Sequence, residues 1–415
     1  MGKLLQINPV IRDSTSTGRI MKEIGELAST NGWESHIAYS RARDGVKEVK
    51  GSSVVPVGNK VDLLLHFLAT RLFDAHGLAS RLATKRFVRR VRKIDPDVVH
   101  IHNIHGYFLN YKILFNYLKE SGKPVIWTVH DCWLFTGHCY YYSSVGCMRW
   151  KEGCHHCPQK KAFPRSLLFD RSKRNYSDKK DAFNSLGDKL TIVTVSEWLR
   201  DEMRSSFLSG CRFKVIHNGI DLDIFTNDGP STSLRDRVTC DTDKKKIILG
   251  VASIWMKEKG LDDFKKLAER LDNDEVIVLV GKMSEQQRES LPGTIITLER
   301  TSDVHELASL YRSAIAFVNP TWQDNYPTVN MEATACGTPV ITYRTGGSPE
   351  SVVDGQTGFV VEQGDIEGIL SAIRKIESTD REEWRERCRT LALKEFGKKD
   401  RYSDYITLYE SLTAR

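Results

Sequence analysis

The stretch AIAFVNPTWQDNYPTVNMEATACGTPVITYRT, residues 314–345, reads as an apolar run, a polar loop, a helical segment and a second apolar run. The two runs are rich in Ala, Val, Ile and Phe, and uninterrupted runs of that kind mark strands buried on both faces. Between them, Pro327 suits the first turn of a helix, where no backbone N–H is needed for the ladder. Asn325 is a candidate N-cap, and Gly337 and Pro339 stop the helix. Strand, helix and strand in so short a span make a βαβ unit, whose right-handed crossover places both strands in one parallel sheet.

Outward from this unit the same alternation fills the chain. Strand candidates are KLLQINPV, SHIAYS, DVVHIHN, PVIWTVHD, LTIVTVS and FKVIHNG in the first half, and KKIILGVAS, EVIVLVG, GTIITLE, AIAFVNP, PVITYRT and GFVVE in the second. Repeated βαβ units predict an α/β fold of two Rossmann-like, doubly wound domains. A length of 415 residues is too great for one ordinary core. TNDGPSTSLRDRV, residues 226–238, has linker composition and separates residues 1–225 from 226–395. The last segment, 396–415, contains RYSDYITLYESL, an amphipathic helix that caps the second domain or crosses back to the first. In doubly wound sheets ligands bind at the carboxyl ends of the strands, so the expected site is a cleft between two facing domains.

Hydrophobic residues make up 40% and charged residues 28%, as in a globular protein. No run approaches the roughly 20 apolar residues of a membrane span. MGKLLQINPV has neither an apolar h-region nor, with Gln6 in place of Ser or Thr, a myristoylation pattern, so the chain reads as cytoplasmic. A net charge of +7 suits several anionic partners and selects none. It concentrates in RLATKRFVRRVRK, residues 81–93, where Arg81, Lys85, Arg89 and Arg92 share one helical face and Phe87, Val91 and Ile94 another. Such a helix either packs on a sheet with a solvated basic face or lies on an anionic membrane at the inner face of the plasma membrane.

The loop–helix junction of the opening stretch carries chemistry. Amides of Thr328 and Val329 at the helix mouth, with the helix dipole, offer a phosphate site. Asp324 precedes the mouth, and Glu332 lies about 7–8 Å along the axis from Pro327. Two carboxylates flanking an anion site match a nucleoside diphosphate sugar, with ribose and sugar hydroxyls on either side of the diphosphate. The plain alternative is acids near a helix N-terminus for dipole compensation.

DNYPTVNMEATACGTPVITYRTGGSPESVVDGQTGFVV, residues 324–361, resembles the donor-binding stretch of family 4 retaining glycosyltransferases of the GT-B fold. The shared pattern is two acids separated by seven residues, Cys-Gly-x-Pro-Val, Gly-Gly-x-Pro-Glu and Asp-Gly-x-x-Gly; Asp324 stands where the family usually has Glu. The resemblance implies that Asp324 contacts the donor sugar, Glu332 binds the ribose diol, and amides around Tyr326, Thr328 and Val329 hold the diphosphate. It implies that Lys259 in WMKEKGLDDF faces the diphosphate, with Lys257 nearby substituting for the family's Arg at the position of Ser253. It further implies base contacts near Glu299 and Arg300, a phosphate or acceptor contact at Gly18 in STSTGRIMKEI, and no catalytic metal or other cofactor. His130 in WTVHD matches the family's histidine near the anomeric carbon, so His130, Asp324 and Lys259 are the catalytic candidates. Asp131, with His102 and His105 of HIHNIHGYF, would line the acceptor cleft. A GT-B phosphorylase or a sugar-nucleotide epimerase is the alternative reading.

Four of the nine cysteines fall between residues 139 and 157, inside a Cys-rich insertion spanning 132–160. The pair Cys154-x-x-Cys157 makes a two-ligand knuckle, and Cys139 and Cys147 complete a tetrahedral set for a structural zinc, with His138, His155 and His156 as spare donors. Free thiols or redox disulfides are the other readings. The insertion resembles a subset of family 4 enzymes of bacterial exopolysaccharide synthesis of the colanic-acid type, which implies a glycan or lipid-linked oligosaccharide acceptor. A zinc-containing nucleic-acid-binding module is the remote alternative. The chain lacks aromatic spacing for base stacking, so no nucleic-acid partner is expected.

Overall fold

The computed structural model describes residues 2–12, 15–40, 49–229 and 245–414. The chain divides into two compact units: residues 1–216 with 402–415, and residues 217–401. The division falls ahead of the linker-like stretch 226–238, of which residues 230–238 lie outside the described residues.

The first unit is a seven-stranded parallel sheet in the order β3-β2-β1-β4-β5-β6-β7. Its elements are β1 Lys3–Ile7, α1 Ser16–Thr30, β2 Glu34–Tyr39, β3 Ser52–Pro56, α2 Lys60–Phe73, α3 Arg81–Ile94, β4 Val98–Ile101, α4 Tyr111–Ser121, β5 Val125–Val129, α5 Ser172–Asn184, β6 Leu190–Thr194, α6 Glu197–Arg204 and β7 Arg212–Val215. Strand β3 is absent from the sequence candidates. As the edge strand beside β2 it buries only Val55 fully, so its sequence lacks the apolar run that marks the others. Leu4, Ile24, Val98 and Ile126 form one core with Trp33 and with Tyr402, Tyr405 and Tyr409 from the chain's last helix.

The second unit is a six-stranded parallel sheet in the order β10-β9-β8-β11-β12-β13. It comprises β8 Lys246–Ile254, α7 Leu261–Ala268, β9 Glu275–Lys282, α8 Glu285–Glu289, β10 Ile295–Leu298, α9 Val304–Ser313, β11 Ala316–Asn319, α10 Thr328–Ala335, β12 Val340–Tyr343, β13 Gly358–Val361, α11 Ile366–Glu377 and α12 Arg381–Glu395. The last helix, α13 Lys398–Thr413, begins in this unit and ends in the first. In both sheets the chain winds outward from a central strand to one side, then returns to build the other. The switch points lie between β1 and β4 and between β8 and β11. Among the described residues no helix is long and apolar enough to cross a membrane.

Candidate active site

In the second unit the sequence candidates gather at the carboxyl edge of the sheet. Lys257 and Lys259 lie on a 3-10 turn directly after β8, Glu299 and Arg300 follow β10, and Asp324 to Val329 lead from β11 into α10. The loops after β8 and β11 are tied across the switch point. The Trp322 amide donates to the Glu258 carbonyl at 2.8 Å, and the Trp322 indole to Asp263 at 2.7 Å. Gly260 has φ +75°, and a Cβ there would lie 2.2 Å from the Pro320 carbonyl, so only glycine lets the loops approach this closely. Across this junction Lys259 Nζ meets Asp324 Oδ2 at 2.8 Å. Lys257, Glu299 and Arg300 are exposed.

Helix α10 begins at Thr328, with Pro327 rather than Asn325 in the N-cap position. The proline's φ of −72° and ψ of 118° hold it outside the helix, and its carbonyl accepts the Asn330 amide at 3.2 Å. Pro327 offers no capping side chain, so the amides of Thr328 and Val329, which precede the first intrahelical bond, open out of the helix mouth. Glu332 is 5% exposed and accepts a 3.2 Å hydrogen bond from Tyr311 Oη of α9. Burial, then the Glu332 charge, pushes the Tyr311 phenol well above its usual range, so it stays a donor.

Sequence reasoning missed the residues that fix this helix in place. Asn330 is fully buried: its Nδ2 donates to Ser348 and Ser351 at 3.1 and 2.9 Å, and its Oδ1 accepts from Asn319 at 2.8 Å. Thr342 closes the network through Ser348 at 2.7 Å. The serine of the Gly-Gly-Ser-Pro-Glu run is therefore a brace for α10. The glycines serve the neighbouring loop, because a Cβ on Gly346 would lie 1.9 Å from the Asp324 carbonyl. Asn330 carried a signal: a polar residue in the middle of a buried helix needs a partner.

In the first unit the carboxyl edge around its own switch point is lined with histidines. His102, one residue past β4, bonds Gln6 of β1 at 3.0 Å through Nε2 and faces His130 Nε2 at 3.5 Å through Nδ1. His130 and Asp131 follow β5. Asp131 pairs with His105 at 3.0 Å and accepts the Trp133 amide at 2.9 Å. Burial would raise the Asp131 carboxyl, but the His105 charge and these hydrogen bonds bring it below its usual value. Burial lowers His130 to about 4 and His102 well below its ordinary value, so both are neutral near pH 7. His100 belongs to the core instead, bonded to Tyr409 at 2.7 Å and Thr128 at 2.8 Å. Gly18 lies inside α1, and a Cβ there would meet the Arg12 carbonyl at 2.7 Å; its bareness admits the chain's own loop.

The insertion after β5 folds back onto this edge. Lys179 of α5, fully buried, donates to the carbonyls of Trp133 and Thr136 at 2.6 and 2.9 Å. Cys139, Cys147, Cys154 and Cys157 are free thiols that line one pocket with room for about one water, near 10 Å³. His138 lines the same pocket. Its Nδ1 is bonded to Asp74 at 2.6 Å, and its buried Nε2 has no hydrogen-bond partner among the described residues. The tetrahedron expected from spacing is not formed: among the described residues no three His, Cys, Asp or Glu donors stand together as a metal-holding group. The Cys139 thiol instead bonds Cys157, pulling Cys157 down to about 7 and pushing Cys139 up.

Two parallel, doubly wound units with charged loops at their carboxyl edges define the class of a GT-B glycosyltransferase. The model described as Glycosyltransferase Family 4 matches residues 17–224, and that described as Glycosyl transferases group 1 matches residues 235–394, so the chain belongs to glycosyltransferase family 4. It is 24% identical over 374 residues, 88% of each chain, to WcaC of Escherichia coli K12, a glycosyl transferase named for colanic acid biosynthesis. A D-inositol 3-phosphate glycosyltransferase of Mycolicibacterium smegmatis is 30% identical over 167 residues, 37% of each chain. Among solved structures, sucrose-phosphate synthase of Thermosynechococcus elongatus superposes with a TM-score of 0.71 at 16% identity, covering all of both chains. Anabaena HepE in complex with UDP-glucose gives 0.67 at 14% identity, covering 99% of this chain and all of that one. These likenesses carry the fold.

Proposed function

We propose that this enzyme transfers a sugar, with retention of configuration, from a UDP- or GDP-linked donor to a glycan or lipid-linked oligosaccharide acceptor in surface polysaccharide synthesis. The carrying observation is the Lys259–Asp324 pair spanning the β8/β11 switch point beside the uncapped mouth of α10, with buried Glu332 one helical turn further on. The amides of Thr328 and Val329 hold the diphosphate with Lys259; Asp324 contacts the donor sugar, and Glu332 takes the ribose diol. Tyr326 backs the mouth, Lys257 adds positive charge, and Glu299 and Arg300 after β10 stand where a base would end. The bond from the anomeric carbon to the diphosphate breaks as the acceptor hydroxyl bonds that carbon, and the hydroxyl proton leaves with the diphosphate or solvent. Lys259 and the helix mouth meet the charge that grows on the leaving group. His130, neutral near pH 7, contacts the sugar or the acceptor hydroxyl as a hydrogen-bond partner, with His102, His105 and Asp131 on the acceptor side. WcaC, similar over most of its length, supports the polysaccharide reading. Incubating the protein with UDP- and GDP-sugars and following free nucleoside diphosphate tests it. Release that depends on added acceptor is expected; conversion of the donor sugar without acceptor would make the enzyme an epimerase.

A structural zinc in the insertion belongs to the same proposal. Its support is the shared pocket of four thiols and the His138 ring held through Nδ1 by Asp74, as carboxylates orient the histidines that bind zinc. Side-chain rotation would have to bring the donors together, and the ion would pin the loop that carries Asp131. Stoichiometric zinc in the purified protein is expected; its absence from metal analysis, with native melting retained in chelator, removes the ion.

A further inference from the structure

Helix α2 leaves most of its apolar surface bare. Only His66 and Thr70 are buried, while Val61, Leu64, Leu65, Leu68, Leu72 and Phe73 are 36–63% exposed. Their spacing forms one stripe along the helix. The 163–169 segment widens it: Phe169 stacks on Phe73 at 5.8 Å between ring centroids, and the Leu167 amide donates to the Arg71 carbonyl at 2.7 Å. Phe163, Leu167, Leu168 and Phe169 are themselves 48–63% exposed. A continuous patch of this kind marks an interaction surface, unlike scattered single residues.

Helix α3 supplies the border. Ser80 at its N-cap bonds His66 of α2 at 2.8 Å, so the two helices adjoin. Its arginines and lysines face outward along a groove shared with α4, where two cavities of about 410 and 350 Å³ have Ile113 and Asn116 in common. The acids on this groove are already engaged: Glu120 with Arg92 at 2.9 Å, and Asp178 with Lys112 at 2.8 Å and Arg171 at 3.5 Å. Arg81, Lys85, Arg89 and Arg174 have no carboxylate within ion-pair distance among the described residues.

We propose that the α2 stripe, the 163–169 segment and the α3–α4 groove form one docking face for an anionic lipid bilayer. The leucines and phenylalanines enter the acyl boundary, and the unpaired arginines take headgroup phosphates. A second copy of the chain fits this face poorly, because it would bring two basic grooves together. Docking gives the proposed lipid-linked acceptor a place and rests on that reading for its purpose alone.

The test is flotation of the full chain with phosphatidylcholine vesicles, with and without phosphatidylglycerol. Binding is expected only to the anionic vesicles and weakens as salt rises. Arg81→Ala with Arg89→Ala and Arg174→Ala lowers partitioning about a hundredfold, at roughly fivefold per cation. Leu64→Ser with Leu68→Ser lowers it about tenfold per leucine. All these side chains are on the surface, so unchanged melting temperatures verify the fold. No flotation, equal flotation with neutral vesicles, or flotation untouched by both variants overturns the proposal, as does a wild-type dimer that the leucine variant dissolves. Donor-induced thermal shift on the same samples reports the transferase reading separately, so either can fail alone.

Discussion

Glu332→Gln isolates the carboxylate that the proposal places on the ribose. Glutamine keeps the length of the side chain and an acceptor for the Tyr311 phenol, which now bonds Glu332 at 3.2 Å. It removes the negative charge and one acceptor oxygen. A hydrogen bond to a charged group is worth about 1.5–3 kcal/mol, so losing that assistance weakens donor binding roughly 10- to 150-fold. Alanine is the poorer probe. It would strand the Tyr311 hydroxyl in a fully buried position and cost about 1–3 kcal/mol of stability in addition to affinity, so the fold would not be untouched. Isothermal titration with UDP, GDP and their sugars measures the effect, and a melting curve checks the fold. The 2′- and 3′-deoxy nucleotides should bind wild type as weakly as the complete nucleotide binds the variant. Wild-type affinity in a natively melting Glu332→Gln protein would refute the assignment.

Lys259→Met should lower kcat by about 10²–10³-fold, the usual cost of one electrostatic contact to a developing anion, as read in steady-state transfer assays. Melting should move little, because the pair with Asp324 is only partly buried. His130→Ala should abolish transfer while nucleotide titrations stay near wild type; normal turnover would remove it from the site. Acid should unfold the first unit before the second. Burial lowers His66 and His100 to about 3, His130 to about 4, and His76 and His102 well below 6.5, so these rings stay neutral when folded. Below pH 6.5 the unfolded chain takes up protons that the folded one refuses, so stability is lost as pH falls from 6.5 toward 4. His138, raised by its Asp74 hydrogen bond despite burial, opposes this in part. Hydrogen exchange at pH 7 and 5 should show protection falling first in residues 1–216; equal loss in both units would contradict the ordering.

What the sequence disclosed follows from which physical signals are local. Strands β8 to β13 are each an apolar run bounded by polar residues, because a strand covered by helices on both faces cannot hide its composition. Strand β3 escaped because an edge strand half in water needs no such run. Asp324 and Glu332 drew notice through their spacing around a helix mouth, and Lys259 only through the resemblance of WMKEKGLDDF to the family. Asn319, Tyr311 and Gln6 were not legible, and Asn330 signalled only that it needed a partner, since their importance is pairwise and the partners lie elsewhere along the chain: Gln6 meets His102, Tyr311 meets Glu332, and Asn319 meets Asn330. The α2 stripe went unread for the converse reason. An apolar helix in sequence looks like core, and only the fold shows that Leu64 and Leu68 are exposed among the described residues.

In the proposed donor site, the Lys259–Asp324 pair bears on how a lysine can favour the transition state over bound donor. Were Lys259 a free cation, it would attract diphosphate strongly from the start, and much of its interaction would be spent in binding. A carboxylate at 2.8 Å changes that distribution. It offsets part of the lysine's field on the donor while fixing Nζ at the switch point, at no cost of reordering when reaction begins. As the anomeric bond breaks, charge accumulates on the diphosphate and the donor sugar turns cationic. The first change strengthens the pull of Lys259 and the second that of Asp324, so both partners gain more in the transition state than in the ground state. Asp324→Asn should therefore leave nucleotide affinity equal to wild type or tighter while kcat falls; a variant that binds weakly and turns over normally would show that the carboxylate serves binding alone.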